Sequence, residues 1–489
     1  MVQRWRRNDA RRSILGLWRV ARWLCLVTLI TAATTPAFAA KRPRRPARVA
    51  YAPPPHPLLI VSIDGLSWPT LRAELSRLPT LKALHRRGVS GPLRTVLPSM
   101  TWPAHVSMMT GRMPWRHGVV GNRWLDRAQG AIVQAHALPM AVAVSGATLW
   151  GAAAAAGIAS AAISWPATSN AEVPRWNLPE VPEADGLRAA SSAGLFDELA
   201  AAGVDLSGLD AWVRAEGDGL DGFSLAAAQT LWRAHQPRLV ALHLLAYDAA
   251  AHRYGPASRQ ALAALRACDR RIAELLKTYG AVAKTLDVLV VSDHGFHEVH
   301  DGLSPSRALA RLQLEDDELA ALTPVSNGQS LWLYAAPGPV GARALKRAMR
   351  GLARDGRVAK VLTHKALRKT GLGDASTQPR APDAALLLRD QVMLHEPRQA
   401  SRERRPGWRG MHGGSPLAAA MHGVWIGAGP CFRVRMQVRG LRVVDVAPTA
   451  AAALGIQMPP AADGLPLDGR ARKDVLRCAI APNASPPVR

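Results

Sequence analysis

Three short apolar runs each lead into an aspartate: LLIVSI before Asp64, RLVALHLLAY before Asp248, and DVLVVS before Asp293, which His294 follows at once. A strand with one wet face alternates apolar and polar residues. These runs are apolar nearly throughout, as strands buried on both faces of a parallel sheet are. From Leu58 onward they alternate with segments of helical character: LKALHRRG, then GATLWGAAAAAG before IASAAIS, LAAAQTLWRAH before RLVALHLL, and ALAALRACDRRIAELLKTYG before DVLVVS. That strand-then-helix rhythm predicts an α/β fold, a doubly wound and mostly parallel sheet with helices on both faces.

The rhythm holds over residues 58–300 and then changes. SLWLYA, ARALKRAMRGLARDG and DAALLLRDQVML give residues 301–404 a strand, helix and strand pattern of their own, which predicts an inserted α+β cap lobe. The sheet resumes within residues 405–470 at MHGVWIGAGPCF, and VVDVAPTAAAALGI supplies a last helix. Residues 471–489 read as a polar tail.

The N-terminus has a different character. Residues 1–39 combine an arginine-rich start, the apolar stretch LCLVTLITAATTPAFA, and small residues Ala37 and Ala39 framing a cleavage point. This is the layout of an export signal, with an uncleaved membrane anchor as the alternative. The expected location is periplasmic or secreted, with no membrane span in the mature chain. Residues 40–57, AKRPRRPARVAYAPPPHP, read as a flexible basic leader. Seven arginines and Asp9 lie in the signal, so its removal takes the formal charge from +26 to +20. A field of that sign favours small anionic substrates. The arginines are spread along the whole chain rather than interleaved with aromatics, so specific nucleic-acid binding is not expected. Cys25 belongs to the signal, and Cys431 and Cys478 could pair in an oxidising compartment. Cys268 lies in a helical pattern and reads as a small buried residue.

Open α/β sheets place their chemistry at the carboxyl ends of the strands, so Asp64, Asp248 and Asp293 should converge there. His252, four residues after Asp248, shares a face with it if that turn is helical. Carboxylates and imidazoles together are the ligand set of a divalent-metal site. In PSMTWPAHVSMMTG, Thr101 precedes Pro103 and so falls in the first turn of a helix. There the positive end of the dipole and free backbone N–H groups suit a phosphate. A threonine hydroxyl becomes a competent nucleophile when a metal lowers its pKa.

The string TWPAHVSMMTGRMPWRHGVVGN resembles the nucleophile segment of the type I phosphodiesterase and nucleotide pyrophosphatase family, within the alkaline phosphatase superfamily. YDAAAHRYGP, SDHGF, GMHGGSP followed by MHGVWIGAGP, SWPATSN and DVAPTAAAALGI are similar to further segments of that family, in its order, over about residues 58 to 468. The resemblance implies an alkaline-phosphatase-like fold and two divalent ions, for which zinc is the family's usual metal. One would be held by Asp64, Asp293, His294 and the Thr101 oxygen, the other by Asp248, His252 and His412. His422 is a competitor for the last role, and the glycine-rich turn Gly410 to Gly414 favours His412. Asn122 would donate to a phosphoryl oxygen, and Trp102 would offer an indole face to the substrate. His105 and His117 are expected to pack or hydrogen-bond rather than bind metal.

The implied activity is hydrolysis of phosphodiester or phosphoanhydride bonds through a covalent phosphothreonine on Thr101, released by a metal-activated water. The alternatives are a phosphomonoesterase or phosphonate hydrolase of the same superfamily, or a polyanion-binding relative without turnover. The chain departs from the family pattern at Ala104 and Val106 after the nucleophile, and at Ala246 and Tyr247 before Asp248. These departures bear on the substrate pocket.

Overall fold

The computed structural model describes residues 56–395, 407–458, 462–466 and 476. The segments expected to be an export signal and, up to residue 55, a leader lie outside them, as does the expected tail apart from Leu476.

The central sheet is built from β1 (Leu58–Ile63), β2 (Val89–Arg94), β3 (Ser160–Trp165), β4 (Trp176–Pro179), β5 (Leu239–Leu244), β6 (Asp287–Val291), β7 (Gly423–Ala428) and β8 (Met436–Gln437). Their spatial order is β8-β2-β7-β6-β1-β5-β3-β4, with Leu441–Arg442 also pairing to β2. Strands β6, β1, β5, β3 and β4 run parallel, and β7 lies antiparallel between β2 and β6. Both faces are covered. In β1, Leu59, Val61 and Ile63 enter one core layer, while Leu58 and Ile60 enter the other. This explains why the run shows no polar alternation.

One face carries α1 (Pro79–Arg87), α4 (Asp218–His235) and α6 (Arg259–Thr278), through residues such as Leu81, Leu231 and Ile272. The other carries α2 (Thr101–Thr110), α3 (Leu149–Ala155) and α7 (Val446–Ala453), through Met108, Trp150 and Ala450. Full burial of each large apolar side chain contributes roughly 1.5–3 kcal/mol.

A second, four-stranded antiparallel sheet runs in the order Leu322–Asn327, Ser330–Ala335, Ala384–Leu388, Val358–Thr363. The helix Pro339–Leu352 lays Ala344, Ala348 and Leu352 against it. Two of these strands are not signalled by their sequences. LTPVSN carries Pro324, which an edge strand tolerates, and VAKVLT is interrupted by Lys360 and ends on Thr363. The hairpin Arg123–Asp126 with Ala131–Gln134, and β4, also lacked a clear apolar run.

The run before Asp248 is not strand to its end. β5 stops at Leu244 and α5 (Ala246–Tyr254) begins two residues later, so Asp248 sits in a first helical turn rather than at a strand end. His252 is therefore one turn beyond it on the same helix. Cys431 is disulfide-bonded, and Cys478, the partner the sequence offers, lies outside the described residues. Cys268 is a free, buried thiol. Among the described residues no helix is long and apolar enough to cross a membrane.

Candidate active site

The segments that follow β1 and β6 and the first turn of α5 bring Asp64, Asp293, His294 and Asp248 together, and the stretch after Gly410–Met411 adds His412. Two groups form, Asp64 with Asp293 and His294, and Asp248 with His294 and His412, each with ligand atoms within 4.8 Å of one another. His294 Nε2 stands 3.4 Å from Asp64 Oδ1 and 3.1 Å from Asp293 Oδ2. His252 Nε2 is 3.4 Å from Asp248 Oδ2 and 3.0 Å from His412 Nε2. His294 and His412 stack at 3.7 Å, so the two groups share a wall. His422 is not among them; its Nε2 donates to the Pro416 carbonyl instead.

The orientation of the imidazoles shows what the cluster is built to hold. Nδ1 of His252 faces the Gly410 carbonyl at 3.1 Å, Nδ1 of His412 faces that of Ser99 at 2.9 Å, and Nδ1 of His294 faces that of Gly295 at 3.3 Å. A carbonyl only accepts, so each Nδ1 carries the proton and each Nε2 presents a lone pair. These lone pairs point at one another and at carboxylate oxygens. Burial, reinforced by neighbouring imidazoles, holds all three histidines well below their ordinary pKa. Burial also pushes Asp64 and Asp248 well above the carboxylate range, with neighbouring carboxylates adding to it. Asp64 Oδ1, Asp248 Oδ1 and Asp293 Oδ2 are buried without a hydrogen-bond partner. Lone pairs and orphaned carboxylate oxygens converging in a largely buried site fit divalent cations, and carbonyl-anchored imidazoles are the usual support of metal-binding histidines.

Thr101 opens α2, whose N-cap is Met100 with no side-chain cap, so the threonine hydroxyl is not spent on capping. Its Oγ1 lies 3.3 Å from His294 Nε2, which can only accept from it. The helix start offers fewer amides than its sequence suggested. The Trp102 N–H donates to Asn122 Oδ1 at 3.2 Å, and Pro103 has none. That bond fixes Asn122 by its carbonyl, and the group it has left to offer a phosphoryl oxygen is its NH2.

A cavity of about 590 Å³ opens over the cluster, lined by Asp64, Thr101, Trp102, Asn122, Asp248, His252 and His412. Asp293 and His294 are fully buried beneath. Trp102 is half-buried, with the His136 ring 6.1 Å away. Lys365 and Arg368 do not line the cavity, and Arg368 pairs with Asp374. His297 is engaged by Gln329.

Sequence reasoning missed the support behind Asp64. His243, fully buried in β5, places Nε2 3.2 Å from Asp64 Oδ2 and Nδ1 3.1 Å from Glu180 and 3.0 Å from the Ser164 carbonyl. Burial would lower its pKa, but the two carboxylates outweigh that and hold it well above the ordinary value. Ser164 adopts a left-handed conformation, φ 50°, a strained geometry typical of functional segments. A histidine inside an otherwise apolar strand was the available signal. His105 and His117 are buried and neutral, both lowered to about 3 chiefly by burial. His105 donates to the Thr101 carbonyl and accepts from Ser62, and His117 donates to Ser107.

Two glycines let backbone pass close to the cluster. Gly413, φ +92°, has no room for a Cβ, which would meet the Asn327 carbonyl at 2.3 Å. Gly65, φ +72°, donates to Asp293 Oδ1, and a Cβ there would lie 2.4 Å from Phe296 and 3.0 Å from Asp248 Oδ1. Gly65→Ala is expected to combine left-handed strain of about 1 kcal/mol with displacement of Phe296 and Asp248. It should lower both Tm and zinc affinity, measured by thermal melting and zinc titration; wild-type values for both would refute this.

Comparisons with known proteins bear on the family and the fold. The family described as type I phosphodiesterase / nucleotide pyrophosphatase matches residues 58–415. Ectonucleotide pyrophosphatase/phosphodiesterase family member 1 of Homo sapiens is 24% identical over 247 residues, 50% of this chain and 24% of that protein. Family member 7 of Homo sapiens is 26% identical over 256 residues, 50% of this chain and 48% of that protein. The chain thus spans about a quarter to a half of the length of these curated relatives. The structure of murine ectonucleotide pyrophosphatase/phosphodiesterase 5 shares the fold, with a TM-score of 0.62 at 17% identity over 83% of this chain and 96% of that one. The α/β architecture is alkaline-phosphatase-like, as the resemblance implied. With the family match covering most of its length, the chain belongs to the type I phosphodiesterase / nucleotide pyrophosphatase family.

Proposed function

We propose that the protein is an exported phosphodiesterase or nucleotide pyrophosphatase that uses two divalent ions and a covalent phosphothreonine on Thr101. The observation that carries this reading is the Thr101 hydroxyl at a helix start, 3.3 Å from His294, beside two groups of buried ligands with unsatisfied oxygens. Asp64, Asp293, His294 and Thr101 would hold one ion; Asp248, His252 and His412 would hold the other. Zinc suits the mixture of imidazole and carboxylate. When bound, such a pair supplies charge for the attacking and departing oxygens of an in-line displacement and activates a water.

The chain's own residues do the rest. Thr101 attacks phosphorus and the alcohol or phosphate departs. Asn122 donates to a phosphoryl oxygen as charge develops, a contact worth about 10²–10³ in rate in comparable sites. Trp102 presents its ring to the substrate on the same side, and His243 with Glu180 braces Asp64.

Preference for a diester has its own support. A monoester carries an extra negative charge and calls for a cationic partner. Arg123 is the one arginine or lysine among the described residues lining the cavity, and it is exposed, whereas Glu180 and Glu216 line the cavity too. The test is the ratio of chelator-sensitive rates on bis-nitrophenyl phosphate and nitrophenyl phosphate, with the nitrophenyl ester of thymidine monophosphate alongside. The diesters are expected to be turned over faster, the nucleotide ester fastest. A faster monoester would move the protein to the phosphatase branch, and no turnover with two ions bound would leave a binding protein.

A further inference from the structure

Helix α5 carries two candidate ligands, Asp248 and His252, yet it begins without a cap of its own. Its N-cap residue is Leu245, whose side chain cannot accept a hydrogen bond. The cap is supplied by another helix. Asp221 of α4, fully buried, accepts the N–H of Leu245 at 2.7 Å and of Ala246 at 3.2 Å. The Cys268 thiol closes the far side, 3.6 Å from Asp221 Oδ2. The sequence at this point, LLAY, is apolar and would continue as strand. The carboxylate thus spans the N-cap amide and the first amide of α5, two donors with no intrahelical partner, which favours ending β5 there and starting the helix.

We propose that Asp221 is a positioning residue for the second ion, setting the first turn of α5 and with it the stance of Asp248 and His252 towards His412. The proposal rests on the two-ion reading of the site. The molecule contains its own control. Asp269, also buried, accepts the N–H of Thr80 at 3.1 Å and of Leu81 at 2.7 Å at the start of α1, a helix that carries no ligand. Loss of a cap lowers stability in either place. Only the first should move a metal site.

The experiment is calorimetric titration of zinc into the metal-free full chain, with a thermal melt of each variant. Wild type is expected to take up two ions. Asp221→Ala should weaken one of them about 10–100-fold, the usual effect of removing support behind a ligand, and leave the other unchanged. Asp221→Asn keeps one acceptor and should fall between, which preserves the test if the alanine variant does not fold. Asp269→Ala should lower Tm while binding both ions at wild-type affinity. Folded Asp221 variants with both wild-type affinities would overturn the proposal, as would an equal loss of metal in Asp269→Ala. Uptake of a single ion by wild type would instead overturn the two-ion reading, and the proposal with it.

Discussion

Thr101→Ala is expected to reduce diester turnover at least about 10³-fold, equivalent to roughly 4 kcal/mol of transition-state stabilisation. The residue begins α2 without capping it, and its hydroxyl faces an imidazole nitrogen that can only accept. Alanine therefore removes the hydroxyl without unmaking the helix. Thr101→Ser restores a hydroxyl at the same place and should recover most of the rate. Wild-type protein incubated with substrate, acid-quenched and analysed by mass spectrometry should carry one phosphoryl or nucleotidyl adduct on the peptide containing Thr101. Turnover by the alanine variant within tenfold of wild type, at wild-type zinc content, would show that the nucleophile is a water and not this residue.

Removing divalent ions should abolish activity and also weaken the fold. Three carboxylates and three lone-pair imidazoles share one cluster, and two cations would satisfy them. At free zinc about 100-fold above its dissociation constant, each ion adds about 2.7 kcal/mol to stability. With an unfolding entropy of about 2.1 cal/mol/K per residue, two ions should raise Tm by about 5 °C. The pH dependence has a defined sign. In the metal-free protein Asp64 and Asp248 titrate above their unfolded values, so their contribution is fully present in acid and is lost as pH rises through the raised values. Protons also compete with metal in acid. The difference in Tm between metal-loaded and chelated protein should therefore widen from about pH 5 to pH 8, and a constant or shrinking gap would count against a cluster built for cations.

The chemistry of the strand ends was legible because a carboxylate closing a doubly buried strand, as Asp64 and Asp293 do, is costly to desolvate unless a cation or a set of donors meets it. Thr101 before a proline, and the i, i+4 pair Asp248 and His252, carried their geometry in their spacing. What the sequence hid is long-range. Asp221 and Leu245 are separated by a whole strand, and nothing local says that one will cap the other and shorten β5. His243 and Glu180 acquire a role only when β5 and β4 have taken their places in the sheet. The amide count at the start of α2 failed for the same reason, since Asn122 arrives from twenty residues away. The strand Val358–Thr363 was invisible because its Lys360 and Thr363 dilute the apolar pattern, and register with Ala384–Leu388 settles its state.

The order of the ligands along the chain has a consequence for how the protein is made. Asp64, Thr101, Asp293 and His294 have all left the ribosome well before His412, which the long excursion through the second sheet delays. A chain cut short within that excursion lacks His412 and also β7, the strand that joins β2 to β6, and α7, which shares a core layer with the Thr101 helix. The sheet and the ligand set are thus completed by the same late segment, so premature termination is expected to yield an unfolded fragment and not a partly active enzyme.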